Sequence, residues 1–145
     1  MIKQPEGLDR WARLLLQVLL GVLFAAHGSQ KLFGAFGGRG IAANAAYFER
    51  LGLLPALFWT WVVIVVEFFG GLCIFFGLLT RFWASLIIIE MIVATVKVNW
   101  ARGFISPQVG WEFPLACAVI ALALVLMGPG FLSVDRAIGL EKRTS

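Results

Sequence analysis

Charge is scarce in this sequence. Only 14% of its 145 residues are Asp, Glu, Lys or Arg, and 61% are hydrophobic, whereas about a quarter of an ordinary soluble domain is charged. So few polar side chains cannot cover a water-soluble surface. Metal-binding side chains are scarcer still, with one histidine and two cysteines. A single histidine argues against a zinc or haem centre, no HExxH spacing occurs, and no metal is expected. Cys73 and Cys117 each stand alone in an apolar stretch. They form no CxxC pair and read as small buried hydrophobes. The "GGRG" at 37–40 follows no strand, so it is not a phosphate loop and no nucleotide is expected. The net charge of +4 is scattered over loops and tails. No basic face interleaved with aromatics results, which excludes nucleic acid as a partner.

What is abundant is apolar sequence in long runs, with a mean hydropathy of +0.92. A membrane-crossing helix needs about 20 mainly apolar residues. Four stretches qualify, at 11–33, 56–79, 82–100 and 111–132. The expected fold is all-α, an integral membrane four-helix bundle in a single membrane domain covering 1–145, with short tails at 1–10 and 133–145. All six tryptophans fall near proposed helix ends, where an indole keeps its ring in the acyl boundary and its N–H wet. A cleaved leader is the rival for the first span, because Lys3, Arg10 and Arg13 precede an apolar run ending at Ala25 and Ala26. No well-formed small-x-small cleavage site follows that run.

Four spans put both tails and the tight "TRF" turn on one side, with Lys3, Arg10, Arg13, Arg81, Arg136, Lys142 and Arg143. The other side holds Arg39, Arg50 and Arg102. The positive-inside rule then predicts cytoplasmic termini for this multi-pass chain. Within the first outer loop, Ile41, Ala45, Phe48 and Leu51 recur at helical spacing and Gly52 follows as a stop. This predicts a short amphipathic surface helix.

The few charges inside the spans carry the functional information. Counting about 1.5 Å per residue from the helix ends predicts two polar layers. An outer layer holds His27, Gln30, Lys31, Lys97, Asn99 and Glu112, and a deeper one holds Glu67 with Glu90. Charges within a bilayer cost at least a few kcal/mol, so they are expected to point into the bundle and pair. Two carboxyl groups held together in a low dielectric share a proton and titrate as a unit. Gln17, Gly21, Phe24, Gly28 and Lys31 recur along one face of the first span, and Gly70, Gly71 and Gly77 follow Glu67 on the second. Small residues let helices approach closely in lipid. The same side chains have plainer readings: Lys31 and Lys97 as snorkelling interfacial anchors, Glu67 and Glu90 as interhelical packing glue, and Glu112 as a helix N-terminal acid.

Several blocks, "LFAAHGSQKLFGAFGGRG", "YFERLGL", "EFFGGLCIFFGLLTRFWA", "GFISPQVGWEFPL" and "GPGFLSVD", resemble in order those of the DoxX family of four-helix bacterial inner-membrane proteins. The resemblance runs from about Arg13 to Gly139. By position, the family's motif residues correspond to His27, Gly28, Lys31, Glu67, Gly70, Gly71, Thr80, Arg81, Gly110, Glu112 and Asp135. It implies a protein similar to the membrane subunit of a thiosulfate:quinone oxidoreductase, or a component of oxidative-stress or quinone-handling complexes. Many relatives carry a histidine where this chain has Asn99, so any proton role of that residue is here shifted to Lys97 or absent.

Three functional readings stand at this point. The first is an inner-membrane redox component that holds a quinone as its cofactor or substrate in a polar-lined pocket in the outer half of the bundle. In it, His27, Lys31, Glu67 and Glu90 handle protons, and Gln30, Lys97, Asn99 and Glu112 complete the ligand site. The second is a non-catalytic anchor for an electron-transfer partner, and the third a small proton-coupled transporter. The expected partners are the lipid bilayer, a redox partner protein and further copies of the chain.

Overall fold

The computed structural model describes residues 7–141; Lys3, Lys142 and Arg143, which bear on the orientation argument, lie outside the described residues. The architecture is all-helical. In chain order it comprises α1 (Leu8–Phe33), α2 (Gly40–Arg50), α3 (Ala56–Phe76), α4 (Thr80–Arg102), α5 (Glu112–Met127) and the short α6 (Val134–Ala137). Among the described residues α1, α3 and α4 are long and apolar enough to cross a membrane, and α5 is a shorter apolar helix. At 16 residues α5 spans about 24 Å. It stops five residues before the expected end because Gly128, at φ 75°, turns the chain into Pro129 and Gly130. Gly77, at φ 69°, likewise ends α3 at Phe76 rather than at residue 79.

Glycine sets the approach of α1 to α3. A methyl group at Gly28 would lie 2.5 Å from the Phe68 Cα, and one at Gly21 would lie 2.6 Å from the Phe75 backbone nitrogen. From the other side, Gly71 rests on the Phe24 and Ala25 backbone. Two glycines seven residues apart keep the same face of α1 open over two turns. The remaining core is aliphatic, with Leu20, Ile64, Ile74, Ile87, Ala121 and Leu124 fully buried. The opposite faces carry Leu15, Val22, Ile89, Val96 and Leu126, each half or more exposed. In water so much contiguous apolar surface would drive aggregation; in a bilayer it is the solvated surface.

The end where α1 and α4 begin is locked by three polar side chains. Gln17, fully buried, donates to the Phe75 and Leu132 carbonyls and accepts from the Gly130 N–H. That joins α1, α3 and the Gly-Pro-Gly turn. Asp135 accepts from the N–H groups of Leu79 and Thr80 at 2.7 and 2.9 Å, placing negative charge on two open donors at the start of α4. Leu79 sits at φ 49°, a backbone region costly for a leucine, and the Asp135 bond holds it there. Arg81 adds an ion pair to Glu141 and a bond to the Val125 carbonyl. Asp135→Ala should therefore lower stability by about 2 kcal/mol, read as a lower melting temperature in detergent. An unchanged melting temperature would mean that this cap contributes nothing.

Candidate functional site

The other end of the bundle holds a half-open cavity of about 830 Å³. Val62, Val66, Leu86, Met91 and Phe113 give it apolar walls. His27, Lys31, Glu67, Glu90 and Lys97 bring polar groups to the same space. In its wall Lys31 Nζ donates to Glu67 Oε2 at 2.6 Å, with Glu67 buried and Lys31 largely so. The Glu90 carboxyl lies against that of Glu67 and within the field of Lys31. Its Oε2 is buried without a hydrogen-bond partner among the described residues.

This pairing merges the two polar layers expected from residue counting. Side chains on a helix lean toward its N-terminus. Helix α1 runs toward the cavity end, so Lys31 leans back into the bundle. Helix α3 runs the other way, so Glu67 leans up to meet it. Counting Cα positions ignores both tilts and overestimates the vertical gap between them.

Two wide π-turns aim the charges. Residues Val65–Phe69 of α3 and Thr95–Asn99 of α4 each adopt π-helical geometry, and they contain Glu67 and Lys97. A π-turn inserts an extra residue and shifts the helical phase, a device common at functional sites. No sequence signal marked these turns.

His27 lines the cavity wall, with its Nδ1 3.1 Å from Gln30 Oε1 and its ring 5.6 Å from that of Phe113. That contact occupies Nδ1 and leaves Nε2 as the ring nitrogen available to a ligand. Gln30 thus touches His27 and does not itself line the cavity. Asn99 also lies outside it; its amide donates to the Val109 and Gly110 carbonyls and ties down the loop between α4 and α5. Glu112 opens α5 as an acid in the first helical turn, again away from the cavity wall. Of the six residues expected to form the ligand site, the structure therefore gathers His27, Lys31 and Lys97 around the cavity and places Gln30, Asn99 and Glu112 behind or beside it.

Sequence reasoning missed the roof. Helix α2 covers the cavity with Asn44, Tyr47 and Phe48 rather than lying free at the surface, and Arg39, Trp59 and Arg102 complete the rim. The available signal was the spacing of Asn44, Tyr47 and Phe48, which puts them on one helical face. The expected stripe shared only Phe48 with it, because a polar Asn44 was not counted as an inward residue.

A protein-family model described as DoxX matches residues 12–100. Among curated proteins the chain is 31% identical over 122 residues to the "Putative oxidoreductase CatD" of Bacillus subtilis, covering 84% of this chain and 83% of that relative. It is also 31% identical over 133 residues to the "Inner membrane protein YqjF" of Escherichia coli, covering 86% and 90%. No solved structure matches it.

Proposed function

Because this chain belongs to the DoxX family of membrane proteins, we propose that it is a redox component of the bacterial inner membrane that holds a quinone or a similar small lipophilic molecule in the cavity. The supporting observation is the juxtaposition of an apolar slot with titratable side chains. Reducing a quinone to a quinol takes two electrons and two protons. A site for it needs flat apolar walls, a donor to each carbonyl oxygen and a proton source. Phe113 and the valines supply the walls. His27 and Lys31 stand where carbonyl or hydroxyl oxygens would bond, and Glu67 with Glu90 forms the proton-bearing pair. Electrons would come from a redox partner protein or a soluble reductant, since the sequence carries no nucleotide or metal motif. The oxidoreductase name of the Bacillus relative agrees with this reading. The excess of Lys and Arg on the terminal side supports cytoplasmic termini.

The test is equilibrium binding of a short-tailed quinone analogue to protein in nanodiscs. Saturable binding is expected, weakened about tenfold by His27→Ala, the equivalent of one hydrogen bond at the strong end of the range. If the wild-type protein shows no saturable binding, the quinone reading fails. If affinity is unchanged in both His27→Ala and Phe113→Ala, the ligand sits elsewhere.

A further inference from the structure

The cavity carries more positive charge than its own acids can answer. Its wall includes Lys31, Arg39, Lys97 and Arg102 against Glu67 and Glu90. Lys31 is used by Glu67 at 2.6 Å. Arg39 holds its guanidinium 4.7 Å above the Tyr47 ring, which leaves its charge unneutralised. Among the described residues Arg102 donates only to the backbone carbonyls of Gln108 and Val109. Lys97 has neither a hydrogen bond nor an ion pair among the described residues. All three stand at the loop end of the cavity, Arg39 just before α2 and the other two in the last turns of α4.

A second observation lies deeper. Glu90 Oε2, buried and unpartnered, is two helical turns below Lys97 on α4, a rise of about 10 Å. A carboxyl of the proton-bearing pair at one end and cations without an acidic partner at the other define a two-ended ligand. The cationic end opens outward, with Arg39, Lys97 and Arg102 all exposed, while Glu67 and the Glu90 Oε2 are buried inside the bundle.

Building on the quinone reading, we propose that the cavity takes an amphiphilic anion: a flat apolar body with a hydrogen-bonding hydroxyl or carbonyl beside Glu90 and an ionised group beside Lys97, Arg39 and Arg102. A neutral quinone fills the slot but leaves the cationic end unanswered. The ionised group belongs either to a soluble lipophilic anion or to an anionic phospholipid headgroup, which share this chemistry.

The experiment compares 1,4-naphthoquinone with its 2-hydroxy analogue, ionised at neutral pH, for binding to the full-length protein in zwitterionic nanodiscs. The anion should bind about tenfold more tightly, as expected for one charge-assisted contact. That preference should collapse in Lys97→Gln and shrink in Arg39→Gln and in Arg102→Gln, with the melting temperature reporting that each variant is folded. Equal affinity of the two probes would overturn the anion inference and leave the quinone reading intact. Binding of neither would remove both. A preference that survives all three substitutions would also overturn the assignment. Displacement of the anionic probe by phosphatidylglycerol would identify a lipid headgroup as the occupant, and persistence of the probe would identify a soluble anion; either result supports the site.

Discussion

Lys31→Met should cost the protein about 3–5 kcal/mol of stability, the usual penalty for stranding one partner of a buried ion pair. Glu67 is 5% exposed and accepts the Lys31 ammonium at 2.6 Å. Without that ammonium, two carboxyl groups would face each other with no positive charge at contact distance. The expected readout is a large fall in melting temperature in detergent, with loss of the folded fraction at 37 °C. The double variant Lys31→Met with Glu67→Gln should recover much of that loss, because replacing both charges removes the stranded one. If the single variant proves as stable as the wild type, Lys31 is a snorkelling anchor and the polar centre described above does not hold α1 to α3. If the double variant is no better than the single, the penalty comes from lost lysine packing rather than from an unpaired carboxylate.

The second large effect should come from Gly28→Val. The nearest atoms to an added Cβ belong to the Phe68 backbone, with the Cα at 2.5 Å. A backbone cannot rotate aside as a flexible side chain can. Helices α1 and α3 must separate, and the cost should reach or exceed about 3 kcal/mol, the upper end for overpacked sites. Separation would also draw Lys31 from Glu67, since Lys31 lies one turn beyond Gly28 on α1. The variant should therefore lose ligand binding as well as melting temperature. By contrast, Gly37→Ala, where an added Cβ meets nothing within 4 Å, should pay only for its positive φ of 73°, about 1 kcal/mol. Comparable losses in the two variants would show that helix approach is not the cause.

The motif blocks now divide by purpose. Residues of "GLLTR" and "GPGFLSVD" meet at the end where α1 and α4 begin, and there Asp135, Arg81 and Gln17 fasten chain segments together. Those of "AAHGSQK" and "VVEFFGG" meet at the cavity, where Lys31 and Glu67 pair. Two distant polar clusters thus serve different ends: one holds the bundle closed, the other faces an open space.

How much of this was legible in the chain varies by residue. The helices were, because an apolar run of membrane length has few folded alternatives and glycine or proline marks its ends. So was the inward placement of Glu67 and Glu90, because exposing a carboxylate to acyl chains is too costly. The helix ends at Phe76 and Met127 shifted by a few residues, where Gly77 and Gly128 take positive φ and override hydropathy. Gln30, Asn99 and Glu112 were grouped with the cavity on depth alone, yet depth gives height along the bundle and leaves the angle around each helix unspecified.

Local chemistry alone determined that the chain forms apolar helices with a few buried titratable groups, since each residue's transfer free energy depends on itself and its neighbours in sequence. Tertiary structure decided that Lys31 reaches Glu67, that α2 roofs the cavity, and that Arg39, Lys97 and Arg102 share its rim. Those outcomes depend on helix phase, set by two π-turns, and on side-chain tilt between antiparallel helices. Both are relations between segments distant in sequence, which only packing brings together.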